Sequence, residues 1–287
     1  MKTAIITGSN RGIGLDTAIA FAKNGYRVYA TMRDPDRKGK ELSGIIASQD
    51  LPITIVALDV NSDASVKTCF ESILSAEEQI DVLVNNAGIE RRGSVEECSI
   101  GVFEDVMNTN YLGPIRCTQQ IMPRMRDQGF GCIINVASVA GKISSSPFAP
   151  YTASKHALEA VSECLAQEAK PHNIRVAIVE PGIIDTDMAN DISEVDGETI
   201  YPQMKRMAAM FTASLKTPTS PTLVADKILE VAESDSWKLR HPVGPDAEPF
   251  LAWRGSMTDE EWIAWNSVSD EEWVNAVKND FGMDVKL

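Results

Sequence analysis

Histidine is scarce in this chain. There are three among 287 residues, His156, His172 and His241, and none is spaced like a pair of metal ligands. Cysteine adds no metal or disulfide pattern. The five thiols (Cys69, Cys98, Cys117, Cys132, Cys164) are odd in number, scattered, and never form Cys-x-x-Cys. Reduced, buried thiols are expected, with neither a zinc site nor a disulfide framework. No apolar run approaches the ~18 residues that a membrane span needs. Met1-Lys2 leads straight into Ala4-Ile5-Ile6, without the charged start and long apolar stretch of a secretory signal. The expectation is a soluble cytoplasmic protein with no membrane partner. Positive charge is short as well: 27 Lys and Arg face 41 Asp and Glu, for a net charge of -14. A field of that sign repels nucleic acid, so none is expected as a partner. It repels phosphate too, so a phosphate site must gather local cations. Arg11, Arg33 and Lys155 are placed to do so.

What is present is an alternation of strands and helices. Hydrophobic residues make up 44% of the chain, enough for a sizeable core. Strands are expected at 3–7, 27–32, 53–58, 80–84, 132–136 and 174–179. Helices are expected at 12–24, stopped by Gly25, and at 38–48, 62–74 (capped by Asn61 or Ser62), 102–128 and 151–170. Repeated βα units of this length predict an α/β fold, a single doubly wound parallel sheet of Rossmann type with helices on both faces. Residues 185–219 break the alternation and are read as a substrate lid over the carboxyl edge of the sheet. The main domain is drawn at 1–242. Residues 243–287 form a helical C-terminal extension, packed on the same domain or on a neighbouring subunit. Within it Thr258-Asp-Glu-Glu-Trp262 and Ser269-Asp-Glu-Glu-Trp273 look like two capped helix starts.

A glycine-rich turn, Thr7-Gly8-Ser9-Asn10-Arg11-Gly12-Ile13-Gly14, lies between the first strand and the first helix. Free backbone amides there, with a helix N-terminus behind them, attract a pyrophosphate, and glycine lets it approach closely. The second strand ends at Met32-Arg33, where an NAD site would carry an acid. A guanidinium in that place favours the extra phosphate of NADP. Asp34, before Pro35, is read as a turn or cap; if it reaches the ribose, NAD is favoured instead. Asp59 either accepts from the adenine amine or caps the next helix. Asn85-Asn86-Ala87-Gly88 either approaches the cofactor ribose or makes a turn.

Tyr151 and Lys155 stand at i and i+4, one face of a helix. A phenol with a pKa of about 10 is a poor base near neutrality. A neighbouring ammonium, together with an oxidised nicotinamide, is expected to lower that value so that Tyr151 exchanges a proton with a carbonyl or alcohol oxygen. Ser138 ends a buried strand, at the carboxyl edge where open sheets bind ligands, and can hydrogen-bond the same oxygen. Asn110 interrupts a helical stretch, and its amide could hold a water that links Lys155 to solvent.

Taken in chain order, residues 7–14, Asp59, residues 85–88, Asn110, Ser138, Tyr151-Thr-Ala-Ser-Lys155 and Pro181-Gly182 resemble the short-chain dehydrogenase/reductase family in its compact single-domain branch. The resemblance spans roughly residues 3–242. It implies a catalytic tetrad of Asn110, Ser138, Tyr151 and Lys155. It implies cofactor contacts from Thr7, Gly8, Asn10, Arg11, Gly12, Ile13, Gly14, Arg33, Asp59, Val60, Asn86, Ala87, Gly88, Tyr151, Lys155, Pro181, Gly182, Ile183 and Thr186. Lys155 would bond the nicotinamide ribose; Ile183 and Thr186 would meet the carboxamide. Many relatives pair subunits through the helices that begin here near Val102 and Tyr151, so a homodimer or homotetramer is implied. Residues 28–34 are similar to members that act on steroids and retinoids and often prefer NADPH. The expected activity is an NADPH-dependent, metal-free carbonyl reductase, taking a fairly bulky apolar ketone to a secondary alcohol and reversible in principle. Two alternatives stand beside it: an NAD-dependent alcohol or hydroxysteroid dehydrogenase working oxidatively, and a non-catalytic NADPH-sensing protein. Met204, Met207, Met210 and Phe211 recur at helical spacing, either as a soft lid wall or as packing on the sheet. All five tryptophans (237, 253, 262, 265, 273) fall near the C-terminus, which suggests tail docking or a subunit contact.

Overall fold

The computed structural model describes residues 1–194 and 199–287. Seven parallel strands build one sheet: β1 (Lys2–Thr7), β2 (Tyr26–Met32), β3 (Ile53–Ala57), β4 (Val82–Asn85), β5 (Gly131–Val136), β6 (Ile174–Pro181) and β7 (Arg240–Val243). Their spatial order is β3-β2-β1-β4-β5-β6-β7. The chain therefore winds outward in one direction from β1 and in the other from β4. The crevice at that reversal, outside the carboxyl ends of β1 and β4, is where such sheets bind ligands.

The sheet is apolar on both faces, as a parallel sheet buried between helices must be. Side chains alternate along each strand. Ala4 and Ile6 of β1, Val28 and Ala30 of β2 and Val84 of β4 face α1 (Gly12–Lys23) and α10 (Pro221–Glu233), with α3 (Lys40–Gln49) at the edge. Ile5, Tyr29, Leu83 and Ile133 face α4 (Asp63–Ala76), α6 (Gly113–Gln128) and the end of α7 (Ala149–Ala169). No helix of the described residues is long and apolar enough to cross a membrane.

Two expected helices are interrupted. The helix over 38–48 becomes a short α2 (Pro35–Lys38) and α3, parted at Gly39. The helix over 102–128 is α5 (Ile100–Met107), one widened turn at Asn108–Leu112 that closes with Gly113 N donating to Asn108 O, and α6. A single inserted residue leaves the apolar period nearly unchanged on either side, so the pattern does not reveal it. Such turns occur often at functional sites.

In the lid, α8 (Asp187–Ser193) and α9 (Gln203–Ser214) are helical; residues 195–198 of the expected lid lie outside the described residues. The tail continues as α11 (Ala247–Gly255), α12 (Asp259–Ser267) and α13 (Asp270–Phe281). Both expected capping boxes form, at Thr258 with Glu261 and at Ser269 with Glu272. The tail docks on the lid within this chain. Trp273, Val277 and Val285 pack against Ala209 of α9, with Met210 and Ala213 beside them. Arg206 of α9, 4% exposed, fastens the contact. Its guanidinium donates to Asp270 Oδ1 at 2.8 Å, Val268 O at 2.7 Å and Asn266 O at 3.3 Å.

Hydrogen bonds from a charged group contribute about 1.5–3 kcal/mol each. Arg206→Ala is expected to lower stability by roughly 2–4 kcal/mol in urea unfolding, the bonds not being additive. The tail should also become the first segment cut in limited proteolysis. A loss under about 0.5 kcal/mol, the range of an ordinary surface substitution, with an unchanged digestion pattern contradicts this role.

Candidate active site

A cavity of about 990 Å³ runs along the carboxyl ends of the strands. At its floor, β1 enters the glycine turn. Gly8 (φ +71°) and Gly12 (φ +54°) hold left-handed backbone, and a Cβ on Gly8 would lie 2.8 Å from Ala87 Cα. Only glycine fits that approach. Arg11 precedes α1 in extended conformation, with no side chain capping the helix and no acid in its first turn. The first amides of α1 therefore keep their donors for an anion, with the positive end of the helix dipole behind them. Gly12, Ile13 and Gly14 line the cavity there, with Gly8, Asn10 and Arg11. Arg11 is not a free cation: its guanidinium pairs with Asp187 of α8 and ties the turn to the lid.

At the end of β2, Arg33 is exposed on the cavity rim, near Lys38. Asp34 takes left-handed backbone (φ 64°), and its carboxylate accepts from Arg37 Nε at 2.8 Å, which holds its pKa down. The acid that would have favoured NAD is thus already paired, and it does not line the cavity. Asp59 does not cap α4; Ser62 does, its hydroxyl accepting from Ser65 N at 3.3 Å. One Asp59 carboxylate oxygen accepts from Asn61 N at 3.0 Å, while the residue also lines the cavity beside Val60.

Several expected contact residues prove to be ties within the protein. Thr7 does not line the cavity; its Oγ1 accepts from the amides of Asn86 and Ala87, each at 3.0 Å. The Asn86 amide donates back to Thr7 O at 2.9 Å and Gly8 O at 3.2 Å. These bonds lock the loop after β4 onto the glycine turn, with Asn86, Ala87 and Gly88 on the wall. Pro181, Gly182, Ile183 and Thr186 also line the cavity, Thr186 beside Gly12. Their loop is anchored by Asp246, which the sequence did not single out. Its Oδ2 accepts from Ile183 N at 2.7 Å, and burial raises its pKa.

The proton-handling groups meet at the centre. Ser138 caps the turn after β5, accepting from Ala140 N at 3.1 Å; its hydroxyl donates to Pro181 O at 3.4 Å and neighbours the Tyr151 phenol, whose pKa it lowers. Lys155 is 5% exposed; its Nζ donates to Val136 O at 2.8 Å and lies 5.6 Å from the centre of the Tyr151 ring. Burial dominates both ionisations. It pushes the Tyr151 phenol up to about 12, a rise that the Ser138 bond opposes and the charge of Glu90 increases. It draws the Lys155 ammonium down to about 8, against the pull of Glu159. Lys155 is directed at a backbone carbonyl, so burial of the phenol prevails here; the lowering expected from the ammonium together with an oxidised nicotinamide belongs to the complex with cofactor.

Asn110 also ties segments within the protein. It is buried off the cavity, in the widened turn. Its amide donates to Ile89 O at 2.8 Å and Ser154 Oγ at 3.0 Å, while its Oδ1 accepts from Ile89 N at 2.8 Å. Both amide hydrogens are committed, so the side chain clamps the chain after β4 to the catalytic helix rather than donating to a water.

A family model for the short chain dehydrogenases matches residues 2–197. The chain belongs to this family. Among relatives, the uncharacterized oxidoreductase YusZ of Bacillus subtilis is 34% identical over 276 residues, covering 93% of this chain and 96% of its own. Retinol dehydrogenase 8 of Bos taurus is 32% identical, covering 88% of this chain and 84% of its own. An actinorhodin polyketide ketoreductase, in a crystal structure with NADPH, superposes with a TM-score of 0.75 at 26% identity, over 86% of this chain and 97% of that one. This short-chain dehydrogenase is accordingly an NAD(P)-dependent oxidoreductase. The open amides of α1 and the glycine floor beneath them fit a dinucleotide.

Three features of this family member were not legible in its motifs. Four of the five tryptophans (Trp253, Trp262, Trp265, Trp273) line the same cavity as Tyr151; Trp237 instead lies beneath the Lys170 ammonium. The methionine stripe divides: Met207, Met210 and Phe211 face the cavity, whereas Met204 does not line it. Behind Lys155, two buried acids, Glu159 of α7 and Glu180 of β6, face each other under Arg240 and Lys142. Arg240 Nε lies 2.9 Å from Glu159 Oε2 and 3.9 Å from Glu180 Oε1. Burial, then the charge of Glu159, pushes Glu180 up to about 7.

A carboxyl whose folded pKa is raised contributes stability that is full below its unfolded value and is lost as pH rises through the folded one. Wild type should therefore lose stability between pH 4.5 and about 7 from this group. Glu180→Gln, which cannot ionise, should gain in Tm relative to wild type as pH is raised across that window. A Tm difference that does not vary with pH contradicts the assignment.

Proposed function

We propose that this short-chain dehydrogenase is an NADPH-dependent carbonyl reductase, converting a fairly bulky, apolar ketone to a secondary alcohol. The observation that carries the reading is the meeting of Ser138, Tyr151 and Lys155 on the wall of one largely apolar cavity that also holds the glycine turn; burial pushes the Tyr151 phenol up to about 12. Such a phenol is protonated at neutral pH and suited to giving a proton to an oxygen that becomes an alkoxide. Ser138 orients that oxygen by a hydrogen bond, and Tyr151 delivers the proton. The Lys155 ammonium, with a pKa near 8, stays largely protonated at neutral pH and stabilises the phenolate left behind. Asn110 keeps the Ile89 backbone and the catalytic helix in register.

When bound, NADPH supplies a hydride for the carbonyl carbon. The residues suited to holding it are the α1 amides for the pyrophosphate, Asp59 for the adenine, Lys155 for the ribose, and Ile183 with Thr186 for the carboxamide. Arg33 and Lys38 at the rim favour the extra phosphate of NADPH, since Asp34 is turned to Arg37. The opposite, oxidative direction, which the name of the bovine relative suggests, needs the phenol as a base, and its raised pKa weighs against that. The reading includes a cytoplasmic homodimer or homotetramer. Ile100 and Leu112, exposed apolar side chains at and after α5, support such pairing.

The test is a panel of aliphatic, aryl and steroidal ketones assayed with NADPH and NADH side by side. Tyr151→Phe should lower kcat by about 10²–10⁴-fold with NADPH binding retained. Arg33→Asp should lower the preference for NADPH over NADH by roughly ten- to a hundredfold, the worth of one charged hydrogen bond. Normal turnover in the first variant rejects Tyr151 as the acid. An unchanged cofactor preference in the second rejects the phosphate site.

A further inference from the structure

The matched family model ends at residue 197, yet part of the cavity's lining, including four tryptophans, lies after residue 243. We propose that this tail forms a subsite for a neutral aromatic ring system of the substrate, seated against the indoles of Trp253, Trp262 and Trp265. The inference rests on the ketone-reductase reading for the reacting end of the molecule and adds what the far end must be.

The three indoles are half-buried on the cavity, whereas Trp273 beneath them is buried. Their orientation is fixed. Trp262 Nε1 donates to Ser144 O at 3.0 Å, on the loop that follows Ser138, and Trp265 Nε1 donates to Asp280 Oδ2 at 2.9 Å. The polar corners of these two rings are thus engaged by protein, and what they offer a ligand is carbon face and edge. Trp262 and Trp265 lie within 5° of parallel, with centres 6.0 Å apart. Trp253 stands edge-on to both, at 5.4 Å and 4.9 Å. An incoming ring can extend this edge-to-face set, gaining more than the area it buries.

An aromatic box can also hold a cation. Here the guanidinium of Arg254 lies 5.4 Å from the centre of the Trp262 ring, and that of Arg206 lies 5.8 Å from the centre of Trp273. Arg254, held by Asp259, already covers a face of Trp262, and Arg206, held by Asp270, covers a face of Trp273 beneath the box, so those faces are closed to a ligand cation. The ligand that fits is therefore uncharged. A saturated skeleton would be served as well by the flexible methionines of α9, and would leave the fixed indole orientations without use.

The experiment compares acetonaphthone with its fully hydrogenated decalyl methyl ketone in a Trp237→Phe background, where every remaining indole lines the cavity. Binding is followed without cofactor by quenching of indole emission, corrected for ligand absorption. The expected result is quenching with tighter binding of the aromatic ketone. Its advantage over the saturated one should fall about three- to tenfold in Trp265→Leu, matching the worth of one aromatic pair, and be largely kept in Trp265→Phe. Equal binding of the two ketones, or an advantage that Trp265→Leu leaves intact, overturns the proposal. Should Trp265→Leu fail to fold by circular dichroism, Trp253→Leu carries the same comparison. Ring-selective binding with no NADPH-dependent turnover of either ketone contradicts the reductase reading and leaves the subsite standing. Turnover of both with no ring preference does the reverse.

Discussion

The site depends on two ionisable side chains held where water solvates them poorly. Lys155 and Tyr151 lie one turn apart on α7, and desolvation moves each away from its charged form, the amine down and the phenol up. The pair thus rests as a neutral phenol beside an ammonium of reduced basicity. That is a proton donor with a cation in reserve, not a phenolate waiting to accept.

The rest of the fold keeps that pair in place. The sheet brings the ends of β1, β4, β5 and β6 together at one edge, and cross-links fix the loops that leave them. Thr7 and Asn86 lock the glycine turn to the loop after β4. Asn110 joins that loop to Ser154, one residue before Lys155. Asp246 anchors the loop after β6 through Ile183 N. Glu159 and Glu180 bring α7 against β6 under Arg240. Each tie is a polar contact between segments distant in sequence; Asp246, Glu159 and Glu180 each also keep one buried oxygen without a partner among the described residues, a cost that their other bonds must offset.

The doubly wound sheet was legible because apolar strands and amphipathic helices alternate, and because the glycine turn and the Tyr151–Lys155 spacing carry their own physical logic. The break at Asn108–Leu112 was not, since one extra residue barely disturbs a helical period. Partners were harder to read than positions. Asp34 is adjacent to Arg33 in sequence, but its left-handed backbone turns it to Arg37. Asn110 stands in the pattern of a relay residue, yet which groups its amide meets depends on a loop twenty residues away. The tryptophans of the tail showed only that something aromatic docks; that they face the catalytic cavity follows from how α9 receives α13. Composition records what a segment can bury, not against which wall.

The protonation state of Tyr151 tests the account most directly. The chain has five tyrosines, so ring carbons labelled with carbon-13 next to the hydroxyl give few signals, and Tyr151→Phe assigns the one that matters. In the cofactor-free enzyme the Tyr151 resonance should keep the position of a neutral phenol from pH 6 through about pH 10, the ordinary tyrosine value. A titration of that resonance with a midpoint near or below 8 would mean that the ammonium prevails over burial, and would contradict the account.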